Sequence, residues 1–286
     1  FGRLADIRGR RRPFIFGFAL FTTASVLCAV SQTGAQLIFF RSMQGMGAAL
    51  IAATAPAILT DVFPSGERGK VLGINAMAVY LGLSIGPTLG GLLVQSLGWR
   101  WIFLINLPIG IFVIAMSLLR LKESATLSRD EGFDLLGAGT FSVGLTALLL
   151  ALTLSPVHGW MTFSITSLFL ISGVIFILFI VIERRLGKEA MLDISLFLRN
   201  RLFAAANLST FLNYTSYSGV GFLMSFYLQR VLGFEPAEAG LILLSMPLIM
   251  SILSPVSGWL SDRFGSRSLS SAGMALMCLG LFMFST

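Results

Sequence analysis

The chain has 286 residues, 56% of them hydrophobic and only 12% charged, with a net charge of +7 and a mean hydropathy of +0.88. So little polar surface cannot cover a water-soluble globule of this size, which argues against a soluble enzyme and makes a lipid bilayer the expected solvent. No zinc-ligand spacing and no phosphate-binding loop occurs, which argues against a metalloenzyme and a primary ATP-driven pump, and no metal or cofactor is expected. Cys28 and Cys278 fall in different apolar runs and form neither a CxxC nor a disulfide framework.

A membrane-spanning helix needs about 20 mostly apolar residues. In chain order the runs are Phe14 to Val30, Leu37 to Val62, Val71 to Leu93, Trp101 to Leu119, Leu135 to Leu154, Phe163 to Ile182, Leu202 to Tyr227, Gly240 to Trp259 and Leu269 onward. Arg10 to Arg12 ahead of an apolar run mimic a signal peptide, but Phe1 is not an initiator and eight more runs follow. The connections alternate in charge. Of the 20 Lys and Arg, 17 lie on one side, from Arg3 and Arg8 in the first loop to Arg263 and Arg267 in the last. The other side holds Arg100 and Arg230, and Arg41 lies inside a run. This is the positive-inside pattern: the first loop is expected to be cytoplasmic, and the positive charge is orientation information rather than a nucleic-acid-binding surface.

One ten-residue pattern occurs twice, as GRLADIRGRR from Gly2 to Arg11 and as GWLSDRFGSR from Gly258 to Arg267, each read as a basic loop between apolar runs. Gly2/Gly258, Leu4/Leu260, Asp6/Asp262, Gly9/Gly265 and Arg11/Arg267 recur in register, the mark of two related halves in a polytopic transporter. Eight runs separate the copies where two six-span halves would leave six, so two spans are read as inserted. The expected fold is all-α and polytopic, with nine of fourteen transmembrane helices present in a fragment. Residues 1–122 are read as the remainder of the N-terminal six-helix bundle, 123–200 as the two inserted spans with their loops, and 201–286 as the start of the C-terminal bundle.

These residues resemble the major facilitator superfamily, and within it the fourteen-span drug:proton antiporters of the EmrB/QacA type. The first loop is similar to the signature G-x-L-x-D-x-x-G-R-[KR]-[KR] at Gly2, Leu4, Asp6, Gly9, Arg10, Arg11 and Arg12. LIFFRSMQGMGAA from Leu37 resembles the fourth-span signature, and GLSIGPTLGGL from Gly82 resembles the antiporter signature of the fifth span. WRWIFLINLPIG from Trp99 and the inserted pair from Leu135 to Ile182 resemble the fourteen-span branch. The resemblance implies an exporter of amphipathic, drug-like compounds in the cell (inner) membrane, driven by protons through alternating access. A periplasmic adaptor protein is a further candidate partner. The alternatives are export of a narrower metabolite or lipid precursor, and a non-transporting receptor or scaffold on the same fold.

Each signature also has a physical reading. Gly2 and Gly9 suit a tight turn, and Asp6 can accept bonds at a helix N-terminus while an arginine holds it, in a contact made in one state and broken in the other. Asp61 is the expected partner of Arg10, and Asp262 and Arg267 repeat the arrangement, which together make a cytoplasmic gate. The competing reading is a solvated basic loop, which explains the arginines but not the glycines. Arg41 would cost roughly 2.5–3.5 kcal/mol at the bilayer centre on insertion scales. It either snorkels to the outer interface or faces inward with Gln44 and Gly45, ahead of a stripe of Ala49, Ala53 and Ala57. The resemblance implies a role for Arg41, Gln44 and Gly45 in proton coupling.

Gly82, Gly86 and Gly90 recur every fourth residue, a smooth face for a neighbouring helix, and Gly91 and Pro87 belong to the same element, with Pro87 weakening the helix locally. Asn207, Thr210, Tyr214 and Tyr217, with Asn213 beside them, form a polar stripe that either lines a substrate cavity or joins helices. His158 reads as a turn residue. None of the nine runs carries an Asp or Glu at its centre; Asp61 and Asp134 sit at run ends.

Overall fold

The computed structural model describes residues 2, 5, 7, 9–122, 134–187, 190, 192 and 194–285. Among these residues the chain is helical: α1 (Arg11–Val30), α2 (Gly34–Val62), α3 (Arg68–Leu97), α4 (Trp101–Leu104), α5 (Asn106–Arg120), α6 (Leu135–His158), α7 (Phe163–Leu186), α8 (Ile194–Arg199), α9 (Arg201–Arg230), α10 (Pro236–Phe264) and α11 (Ser266–Ser285). Seven segments are both long and apolar enough to cross a membrane: those of α1, α2, α3, α4 with α5, α6, α7 and α10. α9 and α11 also have membrane length, but the asparagines, serines and threonines of α9 lower its hydropathy. The Trp101 run divides into α4 and α5 because Pro108 lacks the N–H that would bond to Leu104 and its ring crowds that carbonyl.

Local chemistry sets several helix starts. Thr33 caps α2 by accepting the Gln36 N–H at 3.2 Å, while Gln36 Oε1 reaches back to accept the Gln32 N–H at 2.9 Å. Asp134 caps α6 by accepting the Gly137 N–H at 2.7 Å.

The residues form two compact units, Phe1–Leu127 with Asn213–Thr286, and Ser128–Leu212. In the first, α1 and α2 are brought together by Gly17 and Gly47; a methyl group on Gly47 would lie 2.6 Å from the Phe21 nitrogen. α5 packs on α1 where Gly110 faces Thr22, with no room for a side chain. The face of α2 that packs runs through Gln44, Gly47, Leu50, Thr54 and Ile58, while Gly45 and Ala49 are exposed. The stripe expected from Gly45 to Ala57 is therefore not the buried one, because Gly47, rather than Gly45, meets the backbone of α1.

In the second unit α6 and α7 form an antiparallel hairpin. Ser172 Oγ donates to the Gly144 carbonyl at 2.9 Å, and Phe141 sits against Phe176 and Phe179. Large apolar side chains elsewhere point outward, as Leu119 (78% exposed) and Phe163 (87%) do, the arrangement lipid-facing helices require.

Candidate functional site

The most extensive helix pairing in the first unit joins α3 to α10, the helix whose end carries the second copy of the repeated pattern. Near the start of α3, Gly69 and Gly73 meet Ser254, Pro255 and Gly258 of α10 at backbone distance. A methyl on Gly69 would lie 2.5 Å from both the Gly258 carbonyl and Asp262 Oδ1, and neither Gly73 nor Gly258 has room for one. Asp262 completes the crossing: its Oδ1 accepts the Gly69 N–H at 2.7 Å and its Oδ2 the Lys70 N–H at 2.8 Å. A carboxylate placed on two free N–H groups in the first turn of α3 gains both hydrogen bonds and the helix dipole, worth about 1 kcal/mol or more.

The second copy of the repeat is not a loop over its whole length. Gly258, Leu260 and Asp262 remain in the last turns of α10, because no breaker occurs before Gly265. Gly265 has φ +86° and Gly9 has φ +85°, a left-handed backbone that a side chain would strain by about 1–2 kcal/mol, so the two copies turn alike. Gly2 is helical instead and has open space around it. Asp6 lies outside the described residues.

Arg10 forms an ion pair with Asp61 at 2.5 Å and also donates to the Ala57 carbonyl at 3.0 Å. Arg11 does something else: its Nη2 donates to the Leu118 carbonyl at 2.8 Å, placing a cation on the C-terminal turn of α5. The two neighbouring arginines thus tie the same ends of α2 and α5 to the start of α1. Arg267 is exposed in the first turn of α11.

Toward the opposite end of α2, a short relay links two helices. Arg41 Nη1 donates to Gln44 Oε1 at 2.7 Å, Gln44 Nε2 donates to Ser25 Oγ at 2.6 Å, and Ser25 Oγ donates to the Phe21 carbonyl at 2.7 Å. Gln44 and Ser25 are buried, whereas the arginine is exposed and lies 5.9 Å from the centre of the Phe103 ring. Gln44 spends both ends of its amide on this relay, which fixes the orientation of Arg41.

Away from the Asp262 end, α3 and α10 border a cavity of about 750 Å³ lined by Pro87, Thr88, Gly91, Gln95, Gly240 and Pro247 among others. Gly82, Gly86, Gly90 and Gly91 all have open space where a side chain would stand, so no described helix uses the smooth face they form. A second cavity of about 570 Å³ beside the crossing is lined by Tyr80 and by serines of α10 and α11. On α9, Asn207 and Thr210 bond back to Phe203 and Ala206, and Asn213 Nδ2 reaches Met277 Sδ at 3.8 Å. Tyr214 is 62% exposed, so most of the polar stripe is uncovered among the described residues.

Residues 1–198 and 206–286 match the Major Facilitator Superfamily. The chain belongs to that superfamily. Among its relatives, multidrug resistance protein Stp of Mycobacterium tuberculosis is 36% identical over 281 residues, covering 98% of this chain and 52% of its own length. Riboflavin transporter RibZ of Clostridioides difficile is 32% identical, covering 98% and 60%, and multidrug resistance protein 3 of Bacillus subtilis is 33% identical, covering 100% and 55%. The chain therefore spans about half the length of the relatives it matches. The superfamily is one of membrane transporters rather than enzymes, in keeping with the seven apolar helices.

Within this superfamily member, Gly258 of the crossing belongs to the repeated pattern, whereas its partners Gly69 and Gly73 carry no signal in the sequence. Gly69 and Gly73 are spaced by four, as Gly86 and Gly90 are, but no motif marked them out. Ser25 and Tyr80 were also missed, since a lone serine or tyrosine in an apolar run carries no pattern. The signal for Ser25 was Gln44 itself, a buried amide that needs a partner on another helix.

Proposed function

We propose that this superfamily member is a fourteen-span drug:proton antiporter of the EmrB/QacA type, with nine of its spans in these residues, that exports amphipathic organic compounds by alternating access. The first loop and the Asp262 end are cytoplasmic, and the protein sits in the cell (inner) membrane. The observation that carries the reading is the asymmetry of α3 and α10: backbone contact and a carboxylate latch at one end, a cavity of about 750 Å³ at the other. That is the form of a transporter closed on the cytoplasmic side. Gly2, Asp6, Gly9, Arg10, Arg11, Asp61, Asp262 and Arg267 make up the gate region, within which the Arg10–Asp61 pair and the Asp262 cap are contacts that opening must break. Arg41, held by Gln44, with Gly45 beside it, serves proton coupling. The face of Gly82, Gly86, Gly90 and Gly91 with Pro87 receives a helix when the opposite end closes. Asn207, Thr210, Asn213, Tyr214 and Tyr217 line the substrate path.

Two relatives are named for multidrug resistance, which supports broad export, while the riboflavin transporter supports a narrower flat metabolite. Dye efflux from energised cells, with and without an uncoupler, tests the reading alongside Arg41→Ala at matched membrane abundance. Uncoupler-sensitive efflux that is lost in Arg41→Ala is the expected result. Efflux unchanged by the substitution removes the coupling role, and absence of dye efflux from the wild type removes broad export.

A further inference from the structure

The second unit holds a pair of carboxyl groups that the transport reading does not use. Asp134 caps α6 through Oδ1, and Glu183, in the last turn of α7, accepts the Leu192 N–H through Oε2 at 3.0 Å. Both side chains are buried, at 5% and 2% exposure. Their remaining oxygens, Asp134 Oδ2 and Glu183 Oε1, are fully enclosed and have no hydrogen-bond partner. Both lie over the Cα of Gly137: a methyl group there would collide with Asp134 Oδ2 and lie 2.7 Å from Glu183 Oε1. Two ionised carboxylates are acceptors only, so neither oxygen can satisfy the other, and their charges repel without water between them. A single proton removes both problems, since the protonated carboxyl becomes a donor to the ionised one.

Among the described residues, other charges at this place do not supply a substitute. The ionisable residues on α6 are Asp134, at its cap, and His158, about 35 Å away at 1.5 Å per residue. On α7, Arg184 and Arg185 follow Glu183 but are exposed, and Arg199 on α8 is exposed as well.

We propose that Asp134 and Glu183 form a proton-binding site that closes the end of the α6–α7 hairpin. The closed end holds one proton more than the open end, so it tightens as pH falls and loosens as pH rises past the point where the shared proton leaves. Through Glu183, that proton also fixes the segment at Leu192.

The test uses the full-length membrane protein in lipid nanodiscs, with the proton as ligand. pH-difference infrared spectra are recorded for wild type, Glu183→Gln and Asp134→Asn/Glu183→Gln, in sodium, potassium and choline buffers. Both amides are isosteric, and Asn still caps α6, so folding is retained; where the double variant does not fold, Glu183→Gln carries the comparison. Wild type is expected to show a protonated-carboxyl band at neutral pH that disappears on alkalinisation in all three buffers and is absent from both variants. Hydrogen exchange at Leu192 is expected to rise with pH about tenfold more in wild type than in the double variant, once the ordinary base dependence is removed. Absence of the band from wild type, its survival in the variants, or its displacement by sodium or potassium overturns the proposal. Equal exchange profiles in wild type and double variant overturn the closing role.

Discussion

Two stretches of α3 carry glycines at the same four-residue interval and behave differently. At one end Gly69 and Gly73 of α3 face Gly258, backbone against backbone, under the Asp262 carboxylate. Further along the same helix Gly82, Gly86 and Gly90 repeat at the same interval, yet each faces open space, and Gly91 beside them lines a cavity. Small residues every fourth position permit close approach without compelling it. What holds the first end closed is the Asp262 carboxylate on free backbone N–H groups, which the second end lacks.

The largest expected effect comes from forcing the closed end apart. Gly258→Leu places a side chain where the Gly69 carbonyl stands, and overpacking of this kind costs typically 1–3 kcal/mol or more. Efflux should fall at least to background, and cysteines introduced near Gly69 should become reactive to cytoplasmic thiol reagents; efflux at the wild-type level would contradict the packing. Gln44→Leu comes next, because it leaves Arg41 without its holder and Ser25 Oγ without a partner donor, a loss of about 1–3 kcal/mol. Its signature is a lower melting temperature together with reduced uncoupler-sensitive efflux.

Asp262→Asn keeps the outline of the cap but removes its charge and one of its two acceptors, so about 1 kcal/mol or more of closed-state preference should go, read as at least a several-fold rise in thiol labelling at the same positions. Asp61→Asn should shift labelling less, by about 0.5 kcal/mol, since Asp61 is 38% exposed and water screens its pair with Arg10. Gly86→Ala is the sharpest of the set. With open space around it, the new methyl should leave thermal stability unchanged or raise it by up to about 1 kcal/mol, yet efflux should fall if that face must receive a helix during turnover. Unchanged efflux would reduce these glycines to bystanders.

Much of this was readable in advance because membrane helices announce themselves. Apolar length, alternating basic connections and the doubled motif suffice for an all-helical membrane transporter, and the residues of the first loop suggested that Arg10 and Asp61 belong together. The polar stripe on α9 was legible as a face, but its use was not, since Asn207 and Thr210 merely bond back to their own helix. Glu183 escaped notice because it follows the apolar run immediately and reads as one more charge in a basic loop. Its burial against Asp134 depends on how α6 and α7 lie together.

Periodicity and composition settled which segments are helices, and the resemblance of the motifs pointed to the superfamily, because hydrophobic length and motif spacing are properties of the chain read along its own axis. Only the tertiary structure decided which glycines close, where Asp262 finds its N–H groups and which carboxyls share an enclosed space. Those contacts join residues up to 193 positions apart, and their energies come from backbone proximity and from the absence of water, neither of which is written in the local order of residues.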